Sequence, residues 1–196
     1  YAVLANVGYF SKRKLLEYGS DNSNFMAHAS HKVPGVEFST GSLGHGLPIA
    51  CGLAVAKKRK KLPNYIYVIN SDGEMAEGSN WEAILFASHH KLDNLILIID
   101  YNKLQSFGSI ENTLGIEPMK DKFLSFGWNV YEVDGHNYNS IEQALFNCKA
   151  SKGKPKCIIA NTLKGKGISF MENKVEWHYK NPNKIEFDLA VKELTL

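Results

Sequence analysis

YIYVINSDGEMAEGSNWEAILFASHHKLDNLILIIDYNKLQSFG, residues 65–108, reads strand, acidic turn, helix, strand, polar turn. Tyr65 to Asn70 and Asn94 to Asp100 are short apolar runs with β-branched residues. Ser79 to Lys91 lies between them, with Trp81, Ile84, Leu85 and Ser88 at helical spacing. A helix between two short apolar strands predicts a right-handed crossover joining parallel strands. Both strands then finish at one edge of the sheet, the edge where open α/β sheets bind ligands. Asp72 and Asn102 stand at those two ends, thirty positions apart.

The chemistry of that pair is specific. Carboxylate and amide side chains both offer oxygen, and the turn Lys103-Leu104-Gln105 offers a backbone carbonyl. Magnesium takes six oxygens, commonly one or two carboxylates completed by water and phosphate. A protein clamp of such low charge suits Mg²⁺ holding a diphosphate better than a bare metal cage. Asp and Asn also turn chains with no ligand present, and the spacing alone leaves both readings open.

Working outward, the alternation continues. Tyr1 to Gly19 reads as helical with a break at Ser11. Leu47-Pro48 opens a helix to about Lys61, with Pro48 in the first turn. Pro118–Gly127 and Ser140–Ser151 read as helices, the second with Ile141, Ala144, Leu145 and Cys148 inward. Trp128–Val133 and Lys156–Asn161 read as strands, and Asn181–Leu196 as a last amphipathic helix. The expectation is one α/β domain over residues 1–196, a parallel sheet with helices on both faces.

Two loops carry chemistry-bearing residues. Asp21 to Gly46 is long, lacks periodicity and holds His28, His31 and His45. Loops of that length are functional or disordered. Its end, TGSLGHG (40–46), has three glycines and leads into a helix, a ready anion site. Neither a Walker loop nor a GxGxxG fingerprint is present. TLKGKG (162–167) leaves a strand at the same edge as Asp72 and Asn102, and its lysines either meet a phosphate or are solvated.

Composition excludes several classes. The 196 residues are 44% apolar and 22% charged, ordinary for a globular chain. No apolar run approaches the roughly 18 residues of a membrane span. A net charge of +3 does not argue for nucleic acid. The run Lys57–Lys61 reads as a solvated helix end that complements the helix dipole. Cys51, Cys148 and Cys157 are far apart and fall in apolar segments, which reads as buried free thiols in a reducing cytoplasm. CxxC and HExxH are absent, so zinc has no support. The opening YAVLANVGYF reads as a helix tail, so a natural N-terminal segment is expected to be missing.

Asp72-Gly73, Glu77-Gly78 and Asp100-Tyr101-Asn102 together resemble the thiamine diphosphate motif, which opens Gly-Asp-Gly and closes with Asn. Ser71 replaces the family's usual glycine. SDGEMAEGSNWEA, FMAHASHKVPGVEFSTGSLGHG and KGKGISFMENKVEWH are similar to transketolases, and Ser42 and the last segment to those made as two chains. The resemblance covers nearly the whole chain.

It implies a thiamine diphosphate-binding fold and the diphosphate-binding half of a split transketolase. Such an enzyme moves a two-carbon ketol unit between sugar phosphates. It implies Asp72, Asn102 and the Leu104 carbonyl as Mg²⁺ ligands, and Gly41, Leu43, Gly73 and Glu74 as contacts to thiamine diphosphate. His178, and also His28, correspond to family histidines at the cofactor and substrate. Glu77 and Glu82 resemble an acidic pair that links two active sites, though acids in a helix's first turn also serve its dipole. No role carries over to His31 or His45. The activating glutamate of the family sits in a separate pyrimidine-binding domain, for which this chain has no room. A second polypeptide partner is therefore expected, in a dimer or heterotetramer, and the chain alone is expected to be inactive. The alternatives are a deoxyxylulose-phosphate synthase, a 2-oxoacid dehydrogenase alpha chain, a non-catalytic cofactor-binding module and a flavodoxin-like domain.

Overall fold

The computed structural model describes residues 1–195. By its internal contacts the chain forms two compact units, Tyr1–Leu43 and Gly44–Leu196. The first is mostly turns. It contains α1 (Ala2–Asn6) and a 3₁₀ segment, Lys12–Glu17, where one longer helix was expected. Gly8, with φ 89°, ends α1 before the break at Ser11. Tyr1 and Phe10 pack edge-on against Phe25, at 5.3 and 4.9 Å between ring centroids.

The second unit is the α/β layer structure. Four strands run parallel: β1 (Ile66–Ser71), β2 (Leu95–Tyr101), β3 (Asn129–Asp134) and β4 (Lys156–Asn161), ordered β1-β2-β4-β3. Strand β4 is buried along most of its length, as expected of an inner parallel strand covered on both faces. The helices are α2 (Gly46–Arg59), α3 (Gly78–His89), α4 (Ile110–Thr113), α5 (Met119–Ser125), α6 (Tyr138–Ala150) and α7 (Lys184–Leu194).

Alternate strand residues feed two cores. Leu95, Leu97, Ile99, Cys157 and Ile159 pack with α2, α3 and α5 around Trp128 and Phe123. Ile96 and Ile158 pack on the other face with Ala144 and Cys148 of α6. Helices therefore cover both faces, as the alternation predicted. Leu85 departs from the expected face of α3: it is 59% exposed, while Asn80, Ala83, Ile84 and Ala87 point inward. Leu85 lies about 100° around the helix from Ile84, outside the stripe that those residues form.

The expected last helix is shorter, Lys184–Leu194, and opens with a capping box between Asn183 and Glu186; Leu196 lies outside the described residues. All three cysteines are free and buried. Burial pushes the Cys51 and Cys148 thiols up to about 11. In the basic run, Lys58 reaches the Lys91 carbonyl and pairs with Asp93 at 2.8 Å, so one lysine of the run braces the base of the sheet. Among the described residues no helix is long and apolar enough to cross a membrane.

Candidate functional site

Strand register places the acidic turn. Ser71 pairs with Asp100 at the ends of β1 and β2, and the Asp72 amide donates to the Asp100 carbonyl at 3.2 Å. Asp72 and Asn102 therefore leave the sheet at the same rim, one residue beyond each strand. Asp72 is fully buried. Its Oδ1 accepts from the Gly73 amide at 2.7 Å and its Oδ2 from the Lys103 amide at 2.5 Å. The Asn102 Oδ1 accepts from the Leu104 amide at 3.0 Å. Both side-chain oxygens thus lie against one turn, Asn102 to Leu104.

That turn is held by backbone hydrogen bonds. Lys103 sits at φ 66°, and Leu104 bridges Ser109 in antiparallel fashion. The bridge uses the carbonyls of Lys103 and Gly108, which accept from Ile110 and Gln105, and leaves the Leu104 carbonyl outside the ladder. A cleft of about 760 Å³ opens beside the turn, lined by Asn102, Leu104, Asn161 and Thr162 among others. Thr162 is held by its hydroxyl to the Asp100 carboxylate.

Electrostatics distinguishes Asp72. Burial pushes its carboxyl up to about 6, the Lys103 and Gly73 amides pull it down, and Asp100 adds a further upward push. A buried carboxylate held above its ordinary range is stabilised as the anion by a neighbouring cation. Among the described residues no group of three or more His, Cys, Asp or Glu gathers to hold a metal. A cation at Asp72 would accordingly complete its shell with amide, carbonyl, water and phosphate oxygens, the donor set that suits Mg²⁺. The residues present fit a Mg²⁺-diphosphate group.

The acidic turn is tied to the end of the glycine loop. The Gly44 amide donates to Glu74 Oε1 at 2.9 Å, and Ser79 Oγ donates to the Gly44 carbonyl at 2.7 Å. The Glu74 side chain is thereby engaged. Its amide donates to Ser71 Oγ at 3.0 Å, so the serine standing in for the family glycine caps the turn. Beneath it, Asn80 donates to the Glu74 carbonyl at 2.6 Å and accepts from Asn70 at 3.3 Å. Asn70 and Asn80 were not singled out from sequence. Two Asn in otherwise apolar elements were the available signal, since buried amides demand partners.

The other expected residues are placed as follows. His178 ends the 3₁₀ segment Val175–His178 that follows β4, and its Nδ1 stands 3.4 Å from Lys164 Nζ. Burial and then the Lys164 charge lower its pKa, which favours the neutral imidazole. Glu77 caps α3 by its backbone and Glu82 lies one turn on; both are exposed. Glu82 lines a surface groove with His45, Pro48 and Phe86. In the N-terminal unit the His28 ring packs on Gly41, where an added Cβ would meet it at 3.0 Å, and Leu43 is exposed. His31 Nδ1 shares a 2.8 Å hydrogen bond with Ser39.

Sequence comparison decides among thiamine enzymes. Residues 1–189 match the family described as transketolase, thiamine diphosphate binding domain. The chain belongs to that family. It supplies the thiamine diphosphate-binding part of a ketol-transferring enzyme. It is 47% identical over 195 residues to one of the subunits of the apulose-4-phosphate transketolase of Actinobacillus succinogenes, covering 99% of this chain and 70% of that protein. It is 41% identical to the 6-deoxy-6-sulfo-D-fructose transketolase subunit SqwG of Clostridium sp. MSTE9, covering 99% and 71%.

Among solved structures, the transketolase of Campylobacter jejuni superposes with a TM-score of 0.88 at 31% identity, over 94% of this chain and 30% of that one. Leishmania mexicana transketolase gives 0.83 at 29% identity, over 100% and 34%. The chain thus spans about a third of the length of those solved transketolases. These similarities favour a transketolase over the deoxyxylulose-phosphate synthase and dehydrogenase alternatives.

Proposed function

We propose that this transketolase chain grips a Mg²⁺-bound diphosphate through Asp72, Asn102 and the Leu104 carbonyl. The observation that carries this is the meeting of Asp72 and Asn102 at one rim, against one turn. Bound thiamine diphosphate supplies the electron sink that lets a ketose carbon–carbon bond break. The chain's residues orient it. Gly73 and Gly41 allow close backbone approach, Leu43 adds an apolar contact, and Glu74 holds the glycine loop so that the anion meets backbone. Neutral His178 is suited to accept or return a proton at a substrate hydroxyl, with Lys164 beside it to attract anionic groups; His28 lines the entrance. Glu77 and Glu82 serve the contact between two active sites.

Residues 1–196 act as one thiamine diphosphate-binding domain, a reading supported by the family match across both units. A separate polypeptide supplies the pyrimidine-binding domain, a reading supported by the names of the Actinobacillus and Clostridium relatives, each called a subunit of its transketolase. The assembly is a dimer or heterotetramer acting on sugar phosphates. Three buried free thiols fit the reducing cytoplasm. Calorimetry tests the central claim. Asp72→Ala abolishes Mg²⁺-dependent binding of thiamine diphosphate, and unchanged affinity refutes the clamp. A ketol-transfer assay tests the partner: the isolated chain is inactive, and normal turnover shows that none is needed.

A further inference from the structure

Gln105 holds an unsatisfied group beside Gly73 of the acidic turn. Its side-chain nitrogen is buried and has no hydrogen-bond partner. The rest of the residue is fixed. Its amide donates to the Gly108 carbonyl at 2.7 Å, next to the Leu104–Ser109 bridge. Its side chain lies across Gly73: a Cβ added there would meet Gln105 Cγ at 3.1 Å and Cδ at 3.3 Å. A side chain at 73 would press on the glutamine, which would have to shift by a few tenths of an ångström. Buried polar groups are nearly always paired, and an unpaired donor destabilises the protein that carries it. The missing partner must be an acceptor. The Asp72 oxygens accept from the Gly73 and Lys103 amides, and no hydrogen bond joins either of them to Gln105.

We propose that the Gln105 carboxamide donates to an oxygen of the bound diphosphate, as a cofactor-positioning group. This rests on the Mg²⁺-diphosphate reading above. Asp72 and Asn102 hold the cation; Gln105, three residues past Asn102, holds the anion. A side-chain donor poised over Gly73 fixes the diphosphate's orientation, which a spherical cation does not.

The probe is inorganic pyrophosphate with Mg²⁺, which needs no pyrimidine-binding partner, measured by calorimetry on the full chain. Gln105→Leu weakens binding about tenfold or more, the range for a hydrogen bond to a charged group. Gln105→Glu, equal in size but anionic, weakens it further. In the free protein Gln105→Leu leaves Tm unchanged or raised, because the orphaned donor is gone. Binding by Gln105→Leu within twofold of wild type, while Asp72→Ala abolishes binding, overturns the proposal and spares the clamp. A lowered Tm accompanying the loss assigns Gln105 a structural role and also overturns it. Failure of the wild-type chain to bind Mg²⁺-pyrophosphate overturns both readings.

Discussion

Gly44 joins the glycine loop to the acidic turn, and replacing it by alanine tests whether that junction is as tight as its geometry. Its φ of 83° lies where a side chain costs roughly 1–2 kcal/mol. An added Cβ would stand 2.6 Å from Ser79 Oγ and 2.7 Å from Glu77 Cβ, inside van der Waals contact. The hydroxyl can rotate, but the Glu77 carbon belongs to the residue that begins α3, so backbone must move. Overpacking of this kind costs roughly 1–3 kcal/mol. The movement also strains the Gly44 amide bond to Glu74 and the Ser79 bond to the Gly44 carbonyl.

Gly44→Ala is therefore expected to destabilise by about 2–5 kcal/mol, the sum of those two ranges. Gly52→Ala is the control. Gly52 lies within α2 with open space around its Cβ position, so alanine there stabilises by about 0.5–1 kcal/mol. Urea unfolding of both variants gives the answer, read from the midpoint with the m-value constant. A Gly44→Ala loss below about 1 kcal/mol would show that the junction relaxes easily, and the tight coupling of loop and turn would be refuted.

Other outcomes follow from single observations. Burial lowers the Lys156 pKa below its ordinary 10.5. The unfolded chain thus binds that proton more tightly, and stability from this residue rises as pH climbs through the lowered value towards 10.5. Lys156→Met flattens that rise in urea midpoints taken from about pH 8 upward; an unaltered slope counts against it. Lys164→Ala moves the His178 titration upward, since a neighbouring cation is removed, and imidazole NMR reads the shift; no movement would separate the two residues. Cys51, Cys148 and Cys157 react with a thiol reagent only after unfolding, and rapid labelling of the native chain contradicts their burial.

The site was legible where it is local. Asp72 and Asn102 each stand one residue beyond a strand whose apolar run is plain, and two parallel strands must end at one rim. The Glu74 side chain was less legible. The resemblance implies Glu74 as a contact to thiamine diphosphate, and nothing in its local sequence announces that its carboxylate accepts from the Gly44 amide, thirty residues away. Ser71, which replaces the family's usual glycine, proves to cap the turn. The face of α3 was misread at Leu85 because helical spacing names two adjoining stripes, and the small residues Ala83 and Ala87, not the large one, took the inner stripe.

By itself the sequence determined the alternation of strands and helices, the parallel sheet and the placing of Asp72 and Asn102 at one rim, because each follows from periodicity and chain direction over short spans. The order β1-β2-β4-β3, the burial that raises the Asp72 carboxyl and the stranded Gln105 amide were decided only in three dimensions. Strand neighbours depend on which helices fit between which faces. Desolvation depends on everything packed around a group, and that is assembled from residues far apart along the chain.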